Sequence, residues 1–600
     1  MPFKKAFVIY RNLGNLTVMK DILRTYTWLS IIYLVFCDPS GLQAQCAGDW
    51  SLAQWSPRDG SDPYSANTPF QLATDDRGNA YMAGYASDSL FLQSSDGNYF
   101  FHSPGNEWLG QLVLSKYSRN GDLQWVRGAR TDGAFFSPDV AVWNDMVAIC
   151  GTYFQPPGLP AGHIGAFVTL FDTSGVELWN IKFPGGGVME AYGICFSPSG
   201  DLVVTGSFSG EFDIPGGWKL STGGKPSDVF IYNSEIFALK LTREGKVKWA
   251  VQSGREGEAT LFFHRGQPLA IDDTGNVVLG GYFQGVLRWG DLSLRSGRDS
   301  GRAPFVAKLD GDTGEVIWLS GAKTVGDDYS NGAFYGLVCD RGRNIYGVGY
   351  VQSEFEWDGW PLLPKGNFES LLVCFDESGG VKWVETFGSE DPEDREWAAS
   401  AMISSYNTLF VGANIFPGTI AGGQLLPSFG KGDIAALEFD LSGAILRGWA
   451  YGGPDTDFSY GAALDADGSL LLCGNSLSSS MSFGDVDLEW EETDGRTNSF
   501  LYKQCLGLPA VALPGEEGNV KLYPNPGKGV FWLDGNFGKG ALEVLVVDML
   551  GRELNRQTIR LNGQKSVYGI NAGHLPPGFY CLLLFREGQF LFSMPVSIIQ

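Results

Sequence analysis

The sequence predicts an all-β protein: a seven-bladed β-propeller closed by an N-terminal strand, followed by a small C-terminal Ig-like β-sandwich. Two recurring phrases and a change of composition after Cys505 support this prediction. A fixed repeat indicates an architecture before any single strand is assigned.

The first phrase follows the pattern Asp-x-x-Gly-Asn, then an apolar run ending in Gly. Clear copies occupy residues 75–84, 197–206, 272–280, 340–349 and 465–474, with weaker copies at 144–151 and 407–412. Asp accepts the N–H groups of a tight turn, and Gly tolerates the positive φ at its end. Each copy therefore predicts a β-hairpin.

The second phrase places an apolar run before another Asp-x-x-Gly turn and ends on Trp. Its copies occupy residues 114–125, 169–179, 238–249, 307–318 and 373–383, and a sixth at 437–443 has its tryptophan displaced to Trp449. Two hairpins make a four-stranded unit of about 55–75 residues, longer than the usual propeller repeat. Seven such sheets bury all their faces when stacked around an axis. A sandwich is the competing all-β fold, but it does not require a phrase repeated seven times.

The seventh unit lacks its last strand, which is found at the other end of the chain. The segment 48–55 carries the missing Gly-x-Trp pattern, so we expect it to pair with the strand that ends at Cys505. Cys46 precedes that segment, and we predict a Cys46–Cys505 disulfide. Closing so long a loop restricts the unfolded chain by roughly 5 kcal/mol in the loop-entropy model. Two free thiols are the alternative.

The leader and the composition indicate an exported protein. Residues 1–45 resemble a secretory signal peptide, with Met19 as a possible true start, basic residues Lys20 and Arg24, and an apolar run at 31–37 too short to span a membrane. No later run is long enough for a transmembrane helix. The net charge of −24 disfavours nucleic acid as a partner. We expect a monomer of residues 46–505 (propeller), 506–519 (linker) and 520–600 (sandwich).

The C-terminal block carries three motifs in a specific order. They are Tyr523-Pro524-Asn525-Pro526, then Asp548-x-x-Gly551-Arg552, then Gly578-Phe579-Tyr580. At these spacings the block resembles the type A C-terminal sorting domain of the type IX secretion system. The resemblance implies the type IX machinery as a partner, and export to the surface of a Gram-negative bacterium or release from it. The repeats are similar to the SBBP-type bacterial propeller repeat, a family without a single defined activity.

Acidic residues recur in the loops that lead into the first strand of each predicted blade. Such loops lie around one mouth of a propeller channel, where a ring of carboxylates would concentrate Ca²⁺ or a basic segment of a partner. Chance also explains them, since 67 of the 600 residues are acidic. The candidates are Asp59, Asp62, Asp132, Glu190, Glu256, Glu258, Asp327, Asp328, Asp394, Glu396, Asp455 and Asp457.

No sequence motif identifies a catalytic site. The four histidines lie in unrelated contexts, and no Cys/His metal spacing, Gly-x-Ser-x-Gly elbow or P-loop is present. We predict no catalytic residue and no required cofactor, with Ca²⁺ the one candidate ion. A secreted or surface binding module for an unknown glycan or protein is the preferred function. A secreted glycan hydrolase or lyase that uses channel-mouth carboxylates is the alternative.

Overall fold

The computed structural model describes residues 49–55, 68–86, 89–102, 111–128, 134–154, 164–223, 233–255, 264–297, 301–325, 330–404, 407–484, 486–490 and 498–506, together with most of 521–598. All regular elements in these ranges are strands, as predicted. None of the described segments forms a helix that could cross a membrane.

Within the described ranges up to residue 506, seven groups of four antiparallel strands follow one another along the chain. We name them sheets 1 to 7, with the strands of each in the order of their pairing. Sheet 1 consists of Thr68–Thr74, Ala80–Ala86, Gln111–Tyr117 and Leu123–Gly128; sheet 2 of Ala134–Trp143, Met146–Phe154, Ile164–Asp172 and Glu177–Phe183; sheet 3 of Gly185–Phe196, Leu202–Ile214, Glu235–Leu241 and Val247–Gln252; sheet 4 of Arg265–Ile271, Val277–Gln284, Arg302–Leu309 and Val316–Gly321.

The remaining sheets follow the same order, except that the last takes its fourth strand from the N-terminal end. Sheet 5 consists of Gly332–Cys339, Ile345–Val351, Glu369–Phe375 and Val381–Phe387; sheet 6 of Trp397–Ile403, Leu409–Ile415, Asp433–Phe439 and Ile445–Tyr451; sheet 7 of Asp457–Leu464, Leu470–Ser476, Asn498–Gln504 and Trp50–Trp55. The predicted pairing of the N-terminal strand is confirmed, with Trp50 opposite Lys503 and Gln54 opposite Ser499.

Short accessory strands lie between the second and third strands of most sheets, which explains the long repeat. They are Ser89–Ser94, Gly97–His102, Trp218–Ser221, Val286–Trp289, Leu292–Arg295, Phe355–Trp357, Trp360–Leu362, Ile420–Ala421, Gln424–Leu425, Ser480–Phe483 and Val486–Glu489. Gly254–Arg255 and Lys323–Thr324 follow the last strands of sheets 3 and 4 and pair with the accessory hairpin of the next sheet.

The first strand of each sheet contacts the first strand of the next, and the first strand of sheet 7 contacts that of sheet 1. This cyclic, propeller-like arrangement places the core between successive sheets. One cluster joins Tyr81 and Leu114 of sheet 1 to Ile149 and Phe167 of sheet 2. Another joins sheets 7 and 1 through residues that include Leu52, Leu72 and Leu501.

The repeated tryptophan links six of the seven sheets to the next one. Six indole N–H groups donate a hydrogen bond to a backbone carbonyl oxygen in the following sheet, at 2.8–3.2 Å. The acceptor is always the second residue of the second turn: Trp125 donates to Thr173, Trp179 to Arg243, Trp249 to Gly311, Trp318 to Glu377, Trp383 to Leu441 and Trp50 to Arg119. The ring also covers the glycine of that turn. Trp50, from the N-terminal strand, makes this link between sheets 7 and 1.

The turn glycine is required for two reasons. Gly379 has φ +89°, and a Cβ there would lie 2.7 Å from a ring carbon of Trp318. Gly314 has φ +76°, and its Cβ would lie 2.8 Å from Trp249. Any side chain at these positions would strain the backbone and displace the indole.

Seven strands lie in the C-terminal region. One sheet pairs Lys521–Tyr523, Val530–Gly535 and Ser566–Asn571; the other pairs Glu553–Asn562, Lys539–Val547, Gly578–Arg586 and Gln589–Ile598 in that order. Both sheets contribute to one apolar cluster, which includes Phe531, Leu533, Val544 and Leu582. The two sheets, of three and four strands, agree with a small sandwich.

We predict that Trp249→Ala destabilises the protein by about 3–5 kcal/mol, because it removes a buried ring and an inter-sheet hydrogen bond. Trp218→Ala is the matched control, since Trp218 is partly exposed on an accessory strand, and should cost less than about 1 kcal/mol. Urea unfolding of both variants measures the difference. Equal losses would contradict a linking role for the repeated tryptophan.

Candidate functional site

Every first strand contains a β-bulge at a corresponding place. Its pairing with the second strand shifts register between Pro69 and Gln71, Phe135 and Asp139, Ala191 and Gly193, Gly266 and Leu269, Phe334 and Gly336, Ala398 and Ser400, and Ser459 and Gly461. A bulge leaves an extra residue outside the ladder and turns its side chain in a new direction. Bulges are frequent beside functional sites.

The bulges direct side chains into one cavity of about 400 Å³. Tyr192, Tyr335, Ala399 and Tyr460 are extra residues of their bulges, and all four line it. Gln71, Pro138 and Arg265 come from the other three first strands. Because all seven first strands contribute, the cavity lies where the sheets converge.

Aromatic rings form most of the cavity wall. Tyr350 stacks between Tyr335 and Phe368, with ring centroids 5.6 and 5.2 Å apart. Trp397 stacks on Phe458 at 5.3 Å, which fixes the indole at the rim. These side chains offer flat faces already held by their neighbours, as small-molecule sites commonly do.

Two arginines line the same cavity. The guanidinium carbon of Arg265 lies 3.9 Å from the ring centroid of Tyr192, and that of Arg395 lies 5.5 Å from the centroid of Phe368. The Nε of Arg265 is buried without a hydrogen-bond partner among the described residues. The cavity therefore combines aromatic faces with cationic donors.

Glu190 is placed beside this arginine but is engaged elsewhere. It is buried in the first strand of sheet 3 and accepts a hydrogen bond from the hydroxyl of Tyr192. Burial raises the pKa of Glu190, while Tyr192 and Arg265 oppose the rise. Its carboxylate therefore orients a cavity tyrosine.

A smaller chamber of about 130 Å³ shares Gln71, Tyr192, Tyr335 and Ala399 with the main cavity. Asp139 lines this chamber, and its two oxygens accept N–H groups of Val140 and Ile194 at 2.9 and 2.8 Å. Burial raises the pKa of Asp139 to about 7, although both hydrogen bonds lower it. The bond to Ile194 ties sheet 2 to the bulge that carries Tyr192.

Seven of the twelve predicted acids lie outside the described residues: Asp59, Asp62, Asp132, Glu256, Glu258, Asp327 and Asp328. The other five are Glu190, Asp394, Glu396, Asp455 and Asp457, and none of these lines either cavity. The acidic ring as a whole therefore stays a prediction.

The four described loop acids accept hydrogen bonds from neighbouring groups or form an ion pair. Asp394 accepts the hydroxyl of Ser389, Glu396 accepts the N–H of Ser389 at 2.7 Å, and Asp455 pairs with Lys431 at 3.0 Å. Asp457 accepts the N–H of Gly453 at 2.7 Å, and burial raises the pKa of both Glu396 and Asp457. Within the described segments no group of three or more His, Cys, Asp or Glu side chains could hold a metal ion.

The cavity residues escaped the sequence analysis although a local signal exists. A Tyr-Gly pair recurs shortly before the first phrase, at Tyr192-Gly193, Tyr335-Gly336 and Tyr460-Gly461. Each pair sits at the bulge of its first strand. A recurring aromatic next to glycine in a strand indicates a bulge that turns a ring out of the sheet.

The cysteine and sorting-motif predictions are only partly covered by the described residues. Cys505 is disulfide-bonded, whereas Cys150, Cys195, Cys339, Cys374 and Cys473 are free. Cys46 lies outside the described residues, so its pairing stays a prediction. Tyr523 ends one C-terminal strand, and Gly578 and Tyr580 belong to another; Pro524, Asn525, Pro526, Asp548, Gly551 and Arg552 lie outside the described residues.

The C-terminal region matches a known family of sorting domains, which establishes where the protein is located. Residues 521–591 match the family described as a secretion system C-terminal sorting domain, Por_Secre_tail. The protein is exported by the type IX secretion system. It reaches the cell surface or the extracellular space, as the sorting motifs predicted.

The other comparisons leave the activity open. No curated protein matches the chain. A catalytically inactive virginiamycin B lyase from Staphylococcus aureus is similar at 9% identity over 75% of this chain and 99% of that chain, with a TM-score of 0.32. A protein of unknown function from Dyadobacter fermentans is similar at 11% identity over 76% and 99%, with a TM-score of 0.33. Scores this low carry no argument about function.

We predict a distinct pH dependence for Asp139→Asn. Because the pKa of Asp139 is raised from 3.8 to about 7, the folded state favours its protonated form. Its contribution to stability is therefore present below about pH 4 and is lost as the pH rises through 7, by about 4 kcal/mol at most. Relative to the wild type, the variant should gain stability between pH 4 and pH 8.

The control is Asp376→Asn, in a turn of sheet 5. Hydrogen bonds from Ser378 and from turn N–H groups lower the pKa of Asp376 and outweigh its desolvation, so its contribution is present at neutral pH and lost in acid. This variant should lose stability relative to the wild type as the pH rises from 3 to 6. Urea unfolding across pH measures both, and a parallel response of Asp139→Asn and the wild type would contradict the assignment.

Proposed function

We propose that the protein is a secreted or surface-exposed binding module that holds a cyclic ligand, such as a glycan unit, in the cavity where its seven sheets converge. The observation that carries this proposal is the repeated bulge, through which aromatic side chains from separate sheets meet in one cavity. Bulges that re-aim side chains are over-represented next to active sites, and here the re-aimed residues of four first strands line the same cavity.

We further propose that sheets 1 to 7 are the blades of a closed propeller spanning 46–505. The ring of contacts between first strands supports closure, as does the Trp50 link from sheet 7 to sheet 1. A Cys46–Cys505 disulfide would pin the closing strand, where Trp50 pairs with Lys503 and Asp49 accepts the N–H of Cys505 at 2.7 Å. Residues 506–519 would form a linker and 520–600 an Ig-like sorting domain, after removal of a signal peptide at 1–45.

A cyclic ligand suits the wall chemistry and the volume. Trp397 and Tyr460 can cover the apolar side of a sugar ring with their faces, while Gln71 can bond its hydroxyl groups. A volume of about 400 Å³ lies within the range of about 300–1,000 Å³ typical of small-molecule sites. Ca²⁺ at the acidic loops remains a separate proposal.

The alternative is a glycan hydrolase or lyase. One observation favours it: Asp139 faces the smaller chamber with a pKa of about 7, suitable for general acid–base catalysis. Both of its oxygens already accept backbone hydrogen bonds, however, which supports a positioning role. Turnover of a bound oligosaccharide that is lost in Asp139→Asn would favour the enzyme.

Removal of residues 520–600 should leave the protein inside the cell envelope of a host with a type IX system, because this segment carries the sorting signal. Immunoblots of periplasmic, surface and medium fractions measure the change. Fusion of 520–600 to a periplasmic reporter is the complementary control and should export it. Export of the truncated protein would contradict the sorting role.

Ligand binding is tested on the full secreted chain with neutral and acidic pyranose mono- and oligosaccharides, by calorimetry and tryptophan fluorescence. We expect at least one sugar to bind, and Trp397→Ala to weaken it about tenfold, the loss of about 1.4 kcal/mol of stacking. Trp218→Ala, remote on an accessory strand, should bind as the wild type does. Binding of no sugar, or equal binding by both variants, would overturn the proposal.

A further inference from the structure

We propose that the cavity selects a ring that carries an anionic substituent, with Arg265 as the residue that binds the anion. This inference rests on the proposed function and narrows its ligand to an acidic saccharide. A uronate carboxylate and a sulfate ester share the necessary chemistry: a negative group with several acceptor oxygens on a pyranose ring.

The first argument is the unused hydrogen-bonding capacity of Arg265. A guanidinium carries five N–H donors and stays charged at any physiological pH. Within the described part of the chain its side chain donates no hydrogen bond, and no carboxylate lies within 4 Å of it. Its one close contact is the face of Tyr192 at 3.9 Å. A buried donor without an acceptor is unfavourable, so an acceptor on the ligand would complete the site.

The second argument is that the neighbouring acid is already committed. Glu190 influences Arg265 electrostatically, but its carboxylate accepts the hydroxyl of Tyr192. Glu190 therefore positions Tyr192 through its hydroxyl, and the ring of Tyr192 contacts the guanidinium of Arg265. Tyr192 thereby holds the guanidinium of Arg265 over its ring face, and the N–H donors can bind an oxyanion.

The third argument is the charge of the cavity against that of the whole protein. Two arginines, Arg265 and Arg395, and no carboxylate are among the described residues that line the main cavity. The chain has 67 acidic and 43 basic residues. Positive charge is therefore concentrated where the protein is otherwise strongly negative, which gives an anionic ligand complementarity at this place and disfavours it elsewhere.

The geometry also separates the two parts of the ligand. Tyr350 and Phe368 pack against each other in the cavity wall, and the indole of Trp397, held by Phe458, provides a face that a ring can cover. Arg265 comes from the first strand of sheet 4, whereas Trp397 comes from that of sheet 6. We expect the ring to lie against the aromatic wall with its anionic group directed toward sheet 4.

The experiment compares matched sugars on the full secreted chain by calorimetry: galacturonate and glucuronate oligosaccharides, their neutral galactose and glucose counterparts, and galactose 6-sulfate. We expect at least one acidic sugar to bind tenfold or more tightly than its neutral counterpart. Arg265→Gln should reduce the affinity for that acidic sugar to the affinity for its neutral counterpart. Arg265→Lys should retain part of the preference for the acidic sugar. Arg288→Gln, at the exposed position of the accessory strand Val286–Trp289, should change nothing.

The outcomes separate the two proposals. Preference for carboxylated sugars supports a uronate ligand, and preference for galactose 6-sulfate alone supports a sulfate ester. Equal binding of acidic and neutral sugars by the wild type overturns this inference, but the proposed function stands. This outcome does not depend on whether the variants fold, because it is measured on the wild type. An acidic preference that survives in folded Arg265→Gln removes Arg265 from the anion site. Failure of every sugar to bind overturns the proposed function itself.

Discussion

The contact between an indole and the turn of the next sheet is the interaction on which the rest of the structure depends. A single four-stranded sheet exposes two faces and two edges, so its stability depends on its neighbours. The tryptophan on the outermost strand gives six of the seven sheets a hydrogen bond and an apolar contact at a fixed point of the next one. Since Trp50 provides this contact for sheet 7, the N-terminal strand both completes a sheet and joins the two ends of the series.

The first strands of the sheets differ from the outer strands in what their irregular positions do. At the periphery, the ladder between the third and fourth strands of sheets 1 to 6 shifts register beside the second turn, and the polar and glycine residues of that turn serve the backbone. At the centre, each ladder is interrupted by a bulge, and the residues there differ between sheets: tyrosine in three of them, arginine and glutamine in others. A repeated scaffold thus supports an unrepeated set of side chains, which is what a specific site requires.

Many described carboxylates of this acidic protein form hydrogen bonds or ion pairs within the protein itself. Turn aspartates accept backbone N–H groups, and Asp465 forms a fully buried ion pair with Lys503 at 2.6 Å in sheet 7. The loop acids Glu396 and Asp457 hold neighbouring backbone and hydroxyl groups in the same way. The arginines of the cavity differ because Tyr192 and Phe368 support them through their faces, which leaves their N–H groups available.

The sequence by itself determined the turns, the repeat, the closing strand and the export route. These depend on local chemistry: Asp-x-x-Gly specifies a turn through its own side chain and φ, and the sorting motifs lie within one continuous segment. The cavity could not be derived in this way. Tyr192, Tyr335 and Tyr460 meet only because seven distant strands converge, and each turns inward only because pairing with a second strand produces a bulge. For the same reason, only the tertiary structure shows that carboxylates such as Glu396 and Asp457 are already satisfied by neighbouring donors.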